Sequence, residues 1–313
     1  MIEFLVSTGG KIYEINDLIT KVTYQDTFNN GCSKLEFTYI SKNLTIQNGS
    51  VIRFKYDNTN IFYGYVFKIS RGKGTEINVT AYDQLRYCKA KDTLVLKGDT
   101  VTTITNKMCN YFKLNKGTIV DTRYVLETSV QEDKTWLDII YGSISDTLMN
   151  QKKWYLLRDE FGSIALRETS DLKLDMILGD ESYCYDYQYD KSIDNDFYNF
   201  IKLAAIDKEA KTLEVTVAQD ETSVKNFGVL QYYKSIDKKY STAQAKSMAD
   251  NLLSLYNKEA ETISLDCLGD TRIRAGSSFH GQIEDIKLNR RLVVKSVTHK
   301  FLPIHTMSLE VMT

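Results

Sequence analysis

The sequence carries almost no net charge. Its 40 Lys and Arg residues are balanced by 41 Asp and Glu residues, which leaves a formal net charge of -1. Such a chain has no overall positive field to attract phosphate backbones or anionic membranes. Short basic clusters, such as Lys238–Lys239 and Arg290–Arg291, are typical of solvated faces and turns. Charge therefore argues against nucleic acid as a specific partner.

Long apolar runs and paired cysteines are also missing. The apolar start, Met1–Val6, contains Glu3 and ends before Gly9, so it predicts neither a secretory signal nor a membrane span. The five cysteines lie far apart, form no CxxC pair and are odd in number, which does not fit a disulfide framework. Only one proline, Pro303, is present, and Lys, Asn, Ile and Tyr are abundant, as in AT-rich genomes. We expect a cytoplasmic protein with reduced cysteines and no membrane anchor.

The motifs of common enzyme chemistries do not occur. There is no GxSxG elbow and no Cys placed near a His. Gly72–Thr75 resembles part of a phosphate loop, but it lacks the earlier glycine and joins two predicted strands, so it predicts a tight polar turn. The adjacent carboxylates Asp159–Glu160 and Glu284–Asp285 predict opposite strand faces or turns, whereas a glycosidase needs two carboxyls facing one cleft. The sequence does not exclude a catalytic pair of carboxyls that are far apart in the chain and meet in the fold.

The histidines cluster near the end of the sequence, at His280, His299 and His305. A zinc site would require strands to bring them together, and neither an HExxH motif nor a cysteine partner supports it. We interpret them as solvated or hydrogen-bonded imidazoles. The sequence thus predicts no catalytic residue, no cofactor and no metal site, and the protein is not expected to be an enzyme.

Length and composition favour several globular domains. The chain has 313 residues, 42% of them hydrophobic and 26% charged, which suits two or three soluble domains. We predict an N-terminal β-barrel domain over residues 1–98, an inserted α+β domain over 99–180, and a second β-barrel domain over 181–313. The fold class is therefore α+β and mostly β, with two similar small antiparallel barrels flanking the insert.

The N-terminal region shows apolar residues at every second position in short runs separated by turn residues. This alternation is typical of half-buried antiparallel strands. Asp57–Asn60 predicts a hairpin turn between two of these runs. The predicted strands lie at Ile2–Val6, Leu35–Tyr39, Ile52–Tyr56, Phe62–Ile69 and Ile77–Ala81. With no long helix between them, they indicate a small barrel or sandwich.

The middle region changes to a helical period. Asp99–Thr100 is a plausible N-cap for a helix over Val101–Met108, and a second helix is predicted over Trp136–Leu148. Both helices need a sheet to cover. Strands are predicted at Trp154–Leu157 and Ile164–Leu166, which makes this region an α+β unit.

Four tyrosines, Tyr183, Tyr185, Tyr187 and Tyr189, recur at every second residue. This spacing places their rings on one face of an extended segment. One interpretation is an aromatic face packed in a core or in a subunit contact. The alternative is a carbohydrate-binding platform, because sugar rings stack on aromatic rings.

The third region combines strands with one long helix. Strands are predicted at Phe200–Ala205 and Leu213–Val217, joined by a polar turn at Asp207–Lys211. A helix over residues 242–257 follows Ser241 and Gln244, which fit a capping box. After this helix the two-residue apolar period returns, so the chain ends as it began, in a β unit.

The two ends of the sequence form a weak internal repeat. Gly49–Ile52, followed by strands at Phe62–Ile69 and Glu76–Ala81, corresponds to a similar series near the C-terminal end. That series is Gly276–Phe279, Leu292–Val297 and Thr306–Val311. Spacing and strand order agree better than residue identity, so we predict duplicated β modules.

In its order of parts the chain resembles the baseplate hub family of contractile phage tails and tail-like particles, of the late control protein D type. The resemblance covers nearly the whole chain. It is carried by Tyr63–Val66, Val79–Leu85, Asp220, Ser223, Phe227–Val229, Val297–His299 and Met307. Within these, Gly64 in an apolar strand predicts a bulge or close backbone approach, and Asp83 predicts a turn cap.

The resemblance implies a structural subunit. Hubs of this family contain two similar barrels per chain and assemble as homotrimers, whose six barrels meet a six-fold tail tube protein on one side and a three-fold central spike protein on the other. It also implies contacts with other baseplate proteins, and assembly in the host cytoplasm before location at the tail baseplate. The alternatives are a tail-associated peptidoglycan hydrolase and a carbohydrate-binding tail-tip module.

Overall fold

The computed structural model describes residues 1–41, 44–194, 196–207 and 211–312. The chain forms two compact units, unit 1 (Met1–Gln188 with Ile263–Thr313) and unit 2 (Tyr189–Thr262). The three domain boundaries drawn from the sequence stay predictions. In the described ranges, no helix combines the length and apolar character needed to cross a membrane.

The first β module of unit 1 consists of antiparallel strands whose inward side chains alternate with exposed ones. Its strands are β1 (Ile2–Thr8), β2 (Lys11–Glu14), β3 (Ile19–Thr27), β4 (Lys34–Ile40), β5 (Val51–Tyr56), β6 (Thr59–Arg71) and β7 (Glu76–Tyr82). Every run predicted from alternation is a strand, and Asp57 and Asn58 make the predicted hairpin turn with positive φ angles. The core of this module includes the buried rings of Phe4, Phe37 and Phe54.

The insert follows in unit 1 and has its own hydrophobic core. Its elements are β8 (Lys91–Leu96), α1 (Val101–Phe112), β9 (Lys116–Ile119), β10 (Ser129–Thr135), α2 (Trp136–Gln151), β11 (Tyr155–Asp159) and β12 (Ile164–Glu168). Both predicted helices are confirmed, and Thr100 is the N-cap of α1, accepting from the Thr103 backbone N–H. Ile104, Met108 and Ile140 are fully buried between these helices and the small sheets.

The second β module contains the final strands of the chain. They are β13 (Lys173–Gly179), β14 (Cys184–Ser192), β18 (Ala260–Leu268), β19 (Ser278–Ile283), β20 (Leu288–Lys300) and β21 (Thr306–Met312). Strand β14 belongs to unit 1 up to Gln188, and β18 belongs to unit 1 from Ile263. The numbers β15 to β17 belong to unit 2. Phe279, Leu292 and Val294 are fully buried in this module.

The two modules share one 13-stranded sheet instead of forming two separate barrels. The strand order is β14-β18-β21-β20-β3-β4-β7-β6-β5-β1-β2, with β19 beside β20 and β13 beside β19. In the described part of the chain this series is open and does not return on itself. The reason is that the end of β20 hydrogen-bonds to β3 of the first module, so it does not close the second module. The mostly β, α+β class is correct, and closure into barrels is not confirmed.

Unit 2 is a three-stranded sheet covered by a helix. Its elements are β15 (Phe200–Asp207), β16 (Thr212–Gln219), α3 (Glu221–Phe227), β17 (Gln231–Ile236) and α4 (Thr242–Tyr256). The strand order is β16-β15-β17. Ala249 and Leu252 of α4 pack on Ile201 and Leu203 of β15. Helix α4 begins at the predicted capping box of Ser241 and Gln244. The predicted turn at Asp207–Lys211 has its centre, 208–210, outside the described residues.

The internal repeat predicted from the sequence is confirmed in the strand arrangement. Strands β5, β6 and β7 contain 6, 13 and 7 residues, and β19, β20 and β21 contain 6, 13 and 7 residues. In each set the long middle strand pairs first with the strand before it and then with the strand after it. Each long strand also has a register shift between these two halves, at Val66–Lys68 and at Val294–Ser296.

The backbone hydrogen bonds at these shifts correspond as well. Gly49 N–H donates to Val66 O at 2.8 Å, and Val66 N–H donates to Ser50 O at 2.9 Å. In the second module Gly276 N–H donates to Val294 O at 2.9 Å, and Val294 N–H donates to Ser277 O at 2.8 Å. Gly49 and Gly276 have φ angles of 85° and 82°, a conformation that favours glycine. The two modules therefore share one backbone design.

Candidate functional site at the junction of the two β modules

The junction between the modules is a strand pair. Ser296–Lys300 of β20 pair antiparallel with Thr23–Thr27 of β3. Flanking bonds extend the pairing, because Phe28 N–H donates to Lys295 O at 2.8 Å and Phe301 N–H donates to Val22 O at 3.0 Å. The two modules are thus joined by a continuous backbone ladder.

A largely buried ion pair lies at this junction. Arg274 Nε donates to Asp26 Oδ2 at 3.0 Å, and 19% and 7% of the two side-chain surfaces are exposed. Arg274 Nη1 also donates to Asp159 O at 3.1 Å, and its guanidinium lies 5.8 Å from the ring centroid of Tyr24. A single arginine of the second module therefore contacts both the first module and the insert. No local pattern in the sequence indicates this pair, because its members are separated by 248 positions.

Two buried carboxyls, Asp83 and Asp159, lie next to the ion pair. Asp83 caps the turn as predicted, accepting from Leu85 N–H at 2.9 Å, and its other oxygen accepts from the N–H and Oγ–H of Ser33. Asp159 accepts from Gln84 Nε2 at 3.0 Å and from Gly162 N–H. Burial raises the pKa of Asp83 to about 8, with a further contribution from the Asp159 charge, while the Ser33 hydrogen bonds act in the opposite direction.

The arrangement of these carboxyls favours a structural role. Burial also raises the pKa of Asp159 above the usual range. Asp83 and Asp159 thus form a carboxyl pair between distant positions, which the sequence alone could not exclude. Both side chains are buried, however, and their oxygens accept hydrogen bonds from protein donors. Glycoside hydrolysis needs carboxyls that face a substrate cleft, with one of them free to reach the glycosidic oxygen.

The remaining adjacent carboxylates behave as predicted. Glu160 lies in the turn between β11 and β12, where Arg158 and Arg167 both donate to it, at 2.6 and 2.7 Å. Glu284 follows β19 and accepts from Lys287 N–H in a turn. The Gly72–Thr75 segment joins β6 and β7 as the predicted polar turn.

The structure brings two of the three histidines together. His299 Nδ1 and His305 Nε2 are 3.0 Å apart, and His299 Nε2 donates to Ile273 O at 2.9 Å. Burial lowers the pKa of His299 to about 4 and lowers that of His305 as well. His280 lies elsewhere, 2.6 Å from Asn289 Oδ1. Within the described ranges no three His, Cys, Asp or Glu side chains are placed to hold a metal ion.

The tyrosine stripe is not a core face. Tyr183 precedes β14 with a φ angle of 56°, and Tyr183 and Tyr185 are 55% and 63% exposed. Tyr187 is half-buried, and its hydroxyl lies 3.2 Å from Asp285 Oδ2. Tyr189 belongs to unit 2, where its hydroxyl donates to Glu261. Because two of the rings are exposed, the stripe can serve as a subunit contact or as a carbohydrate-binding surface.

Asp220, Ser223 and Gly228, which carry part of the resemblance to the hub family, lie at the two ends of α3 in unit 2. Asp220 is the N-cap of α3, accepting from Ser223 N–H at 2.9 Å and from Asn257 Nδ2 at 2.8 Å. Gly228 ends the helix with a φ angle of 78°. These residues hold local structure, as the hydrogen bonds show.

The family of the chain follows from comparison with known proteins. Residues 22–312 match the YQBQ-like family model, so the chain belongs to the YQBQ-like family. It is 27% identical over 272 residues to the uncharacterized protein YqbQ of Bacillus subtilis strain 168, covering 85% of this chain and 82% of that protein. It is 26% identical over 271 residues to the phage-like element PBSX protein XkdQ of the same strain, with the same 85% and 82% coverage.

A solved structure shares the fold. The tail protein from Neisseria meningitidis MC58 superposes with a TM-score of 0.73, covering 99% of this chain and 96% of that one, at 14% identity. Identity this low establishes likeness of fold alone. Since almost the entire length of both chains is covered, the likeness includes both β modules as well as the insert.

Proposed function

We propose that the protein is a structural subunit of a phage tail or tail-like particle, and specifically the baseplate hub, of the late control protein D type. Three lines support this proposal. The chain belongs to the YQBQ-like family. A relative with 26% identity is a protein of the phage-like element PBSX. A chain with the same fold is a tail protein. The hub assignment rests on the internal repeat.

The repeat of β5–β6–β7 in β19–β20–β21 is the observation that carries the hub proposal. A six-fold tail tube and a three-fold spike have different symmetries, so a protein between them must present both. Three chains with two equivalent modules each provide six near-equivalent surfaces under three-fold symmetry. The repeat thus supports a homotrimeric ring that joins the two.

The proposed partners follow from this position. They are two further copies of the chain, the tail tube protein, the central spike protein and other baseplate proteins. The proposed location is the host cytoplasm during assembly and then the tail baseplate. A non-enzymatic role is supported by the buried carboxyl pair of Asp83 and Asp159, whose oxygens are engaged by Ser33 and Gln84.

Mass measurement in solution tests the proposal directly. We expect native mass spectrometry to show a trimer, either with the chain alone or after addition of the tail tube and spike proteins of the same particle. A chain that stays monomeric in all of these mixtures would contradict the hub.

The two alternatives are tested separately. Release of soluble peptidoglycan fragments by the isolated chain, abolished by one carboxylate substitution, would favour a hydrolase. Binding of a glycan that is lost on Tyr185→Ala would favour a carbohydrate-binding tail-tip module, since Tyr185 is an exposed ring of the stripe. Neither result is expected from a hub.

A further inference from the structure

We infer that Cys184 and Cys267 form a redox site, which holds two thiols in a reducing cytoplasm and is converted to a disulfide by an oxidised low-molecular-weight thiol such as glutathione disulfide. The sequence predicts isolated, reduced cysteines, whereas the fold places these two on the neighbouring strands β14 and β18. The chemistry of the pair goes beyond the proposed function and does not depend on it. Only the stage at which oxidation occurs in a particle rests on that function.

The two strands run antiparallel. Leu268, at the end of β18, donates its N–H to Tyr183 O, directly before the start of β14, at 2.8 Å. Near the other end of β14, Lys191 Nζ lies 2.9 Å from Glu259 Oε2, directly before the start of β18. The start of each strand therefore lies beside the end of the other.

This pairing places the two cysteines directly opposite each other. Tyr183 and Leu268 form a hydrogen-bonded pair, so the next pair, Cys184 and Cys267, is of the non-hydrogen-bonded kind. The Cα atoms of such a pair are about 4.5 Å apart. Disulfides join cysteines whose Cα atoms are about 4.4 to 6.8 Å apart. The thiols of Cys184 and Cys267 also share a hydrogen bond, so a bond between the sulfurs can form without displacing either strand.

The two thiols differ in their access to solvent. Cys267 is 0% exposed and alternates along β18 with Ile263 and Leu265, which are buried as well. Cys184 is half-buried. The hydrogen bond to Cys184, together with burial, raises the pKa of Cys267 above its usual range. A soluble disulfide therefore reacts first with Cys184, and Cys267 acts as the second, resolving thiol.

The reaction consists of two thiol–disulfide exchanges. Cys184 Sγ, as the thiolate, attacks one sulfur of glutathione disulfide, which forms a mixed disulfide and releases one glutathione thiolate. Cys267 Sγ then loses its proton to solvent, attacks Cys184 Sγ and releases the second glutathione thiolate. Two electrons pass from the protein to glutathione, and the two protons lost by the protein thiols are taken up by the two glutathione thiolates.

The disulfide closes a loop that contains all of unit 2. The chain enters unit 2 at Tyr189, after Cys184, and leaves it at Thr262, before Cys267. In the chain-entropy account a cross-link that closes a loop of about 80 residues stabilises the fold strongly, because it restricts the unfolded chain. In a tail particle the bond forms after release from the host cell, since the cytoplasm keeps thiols reduced. It then secures both connections to unit 2.

Peptide mapping of the full-length chain tests the bond. Protein purified under reducing conditions is incubated with equal concentrations of reduced and oxidised glutathione, then alkylated with iodoacetamide in denaturant and digested. We expect most molecules to yield one linked peptide pair containing Cys184 and Cys267, with the buried Cys88 and Cys109 recovered as alkylated thiols. If Cys184 and Cys267 were both alkylated, or if Cys184 carried glutathione without closing on Cys267, the redox site would be overturned.

Single variants test the order of reaction. Cys267→Ala removes the resolving thiol, so Cys184 should accumulate as the mixed disulfide with glutathione. Cys184→Ala removes the accessible thiol, and the buried Cys267 should then take up glutathione roughly tenfold more slowly or less. Cys32→Ala is the matched control, because Cys32 is also half-buried, and it should leave the bond at the parent level. Equal labelling of Cys184 and Cys267 in the first two variants would contradict the assigned roles.

The melting temperature tests the effect of closing the loop. The oxidised parent should melt about 5 °C or more above the reduced parent, and dithiothreitol should reverse the shift. Cys184→Ala, treated in the same way, should show no shift. Identical melting of the oxidised and reduced parent would show that the bond does not secure unit 2.

The outcomes separate this inference from the proposed function, because bond formation is measured independently of oligomeric mass. A chain that forms the bond but stays monomeric with tube and spike proteins would overturn the hub alone. A trimeric chain that does not form it would overturn the redox site alone.

Discussion

The two β modules share the same strand pairing but differ in the side chains that pack on it. In the first hairpin the large residue is Phe54 on β5, and the glycine is Gly64 on β6. At the equivalent positions of the second hairpin, β19 carries Gly281 and β20 carries Leu292. A Cβ on Gly281 would come within 2.4 Å of Leu292 Cδ1, so the glycine makes room for that side chain. Backbone pairing is thus the same in both hairpins, but the large side chain is on the first strand in one and on the second strand in the other.

The outer faces of the modules differ even more. The first carries an aromatic row, in which Tyr63 and Tyr65 lie 6.0 Å apart between ring centroids and Phe67 and Tyr82 lie 5.6 Å apart. Tyr63 also packs against Phe161 of the insert, at 6.2 Å. The equivalent outer positions of the second module are Arg291, Val293, Lys295 and Met312. The shared plan therefore constrains the hydrogen bonds and the core, and leaves each outer face to its own contacts.

The largest expected effect comes from the glycine that the first module requires. A Cβ on Gly64 would lie 2.2 Å from the backbone oxygen of Tyr82, which cannot move without opening β7. Gly64→Val should lower the free energy of unfolding by about 4 kcal/mol or more, at the severe end for single substitutions. Chemical denaturation followed by circular dichroism measures this.

Gly72→Val is the matched control for the first prediction. It lies in the turn after β6, and a Cβ there would meet no atom within 4 Å. We expect a change within about 0.5 kcal/mol. Unchanged melting and oligomer size for Gly64→Val would contradict the packing described for the first module.

The next effect concerns the ion pair that the second module makes with the first. Arg274→Met leaves Asp26 buried without its partner, which typically lowers stability by about 3–5 kcal/mol. Arg272→Met, two residues away, breaks a pair with Asp270 in which the arginine side chain is 57% exposed. That control should lower stability by about 1 kcal/mol or less. Equal losses for the two variants would show that Arg274 does not join the modules.

Local signals explain which parts of the fold could be predicted. The start of α1 at Val101 follows from Thr100, and the start of α4 at Thr242 follows from Ser241 and Gln244, because a cap and its helix are neighbours in sequence. Strand alternation is local in the same way. The repeat was also visible, since its spacing survives where residue identity does not.

Long-range features could not be predicted from local patterns. Asp26 and Arg274 have no periodic relation, and neither do Asp83 and Asp159, which meet only after the insert folds beside the first module. Barrel closure is a further case. It depends on which strand lies beside β20, and the alternation within β20 is the same whether its neighbour is in its own module or is β3.

The pH dependence of stability tests the carboxyl pair that lies beside this junction. Burial raises the pKa of Asp83 from its usual 3.8 to about 8, so between these values the folded chain binds more protons than the unfolded chain. Its contribution to stability is therefore lost as pH rises toward 8, by at most about 1.4 kcal/mol per pH unit. The lowered pKa values of His299 and His305 act oppositely, raising stability with pH below about 6.5.

Above about pH 6.5 the two histidines no longer contribute, so the slope between about pH 6.5 and 8 reports the buried carboxyl pair of Asp83 and Asp159. Asp159→Asn removes the neighbouring charge, which should lower the pKa of Asp83 and flatten the slope in this range. Urea midpoints at several pH values within the range measure it. A parent protein whose stability does not fall as pH rises through this range would contradict the raised pKa of Asp83.

The smallest effect gives the sharpest test of equivalence between the modules. Ser50 Oγ accepts from Gln47 N–H at 3.1 Å, and Ser277 Oγ accepts from Arg274 N–H at 3.2 Å, so the two serines close corresponding turns. Each Ser→Ala change should lower stability by about 1 kcal/mol, the usual contribution of one hydrogen bond. Ser277→Ala should cost slightly more, because its hydroxyl also donates to Arg274 O at 2.6 Å.

Measured in one protein by urea denaturation, these two losses compare the modules under identical conditions. Losses that agree within about 0.5 kcal/mol are expected if the turns are equivalent in energy as well as in geometry. If one Ser→Ala change left the free energy of unfolding unchanged and the other lowered it strongly, the shared backbone would not imply equal energetics. The six surfaces of the proposed ring could then not be treated as near-equivalent.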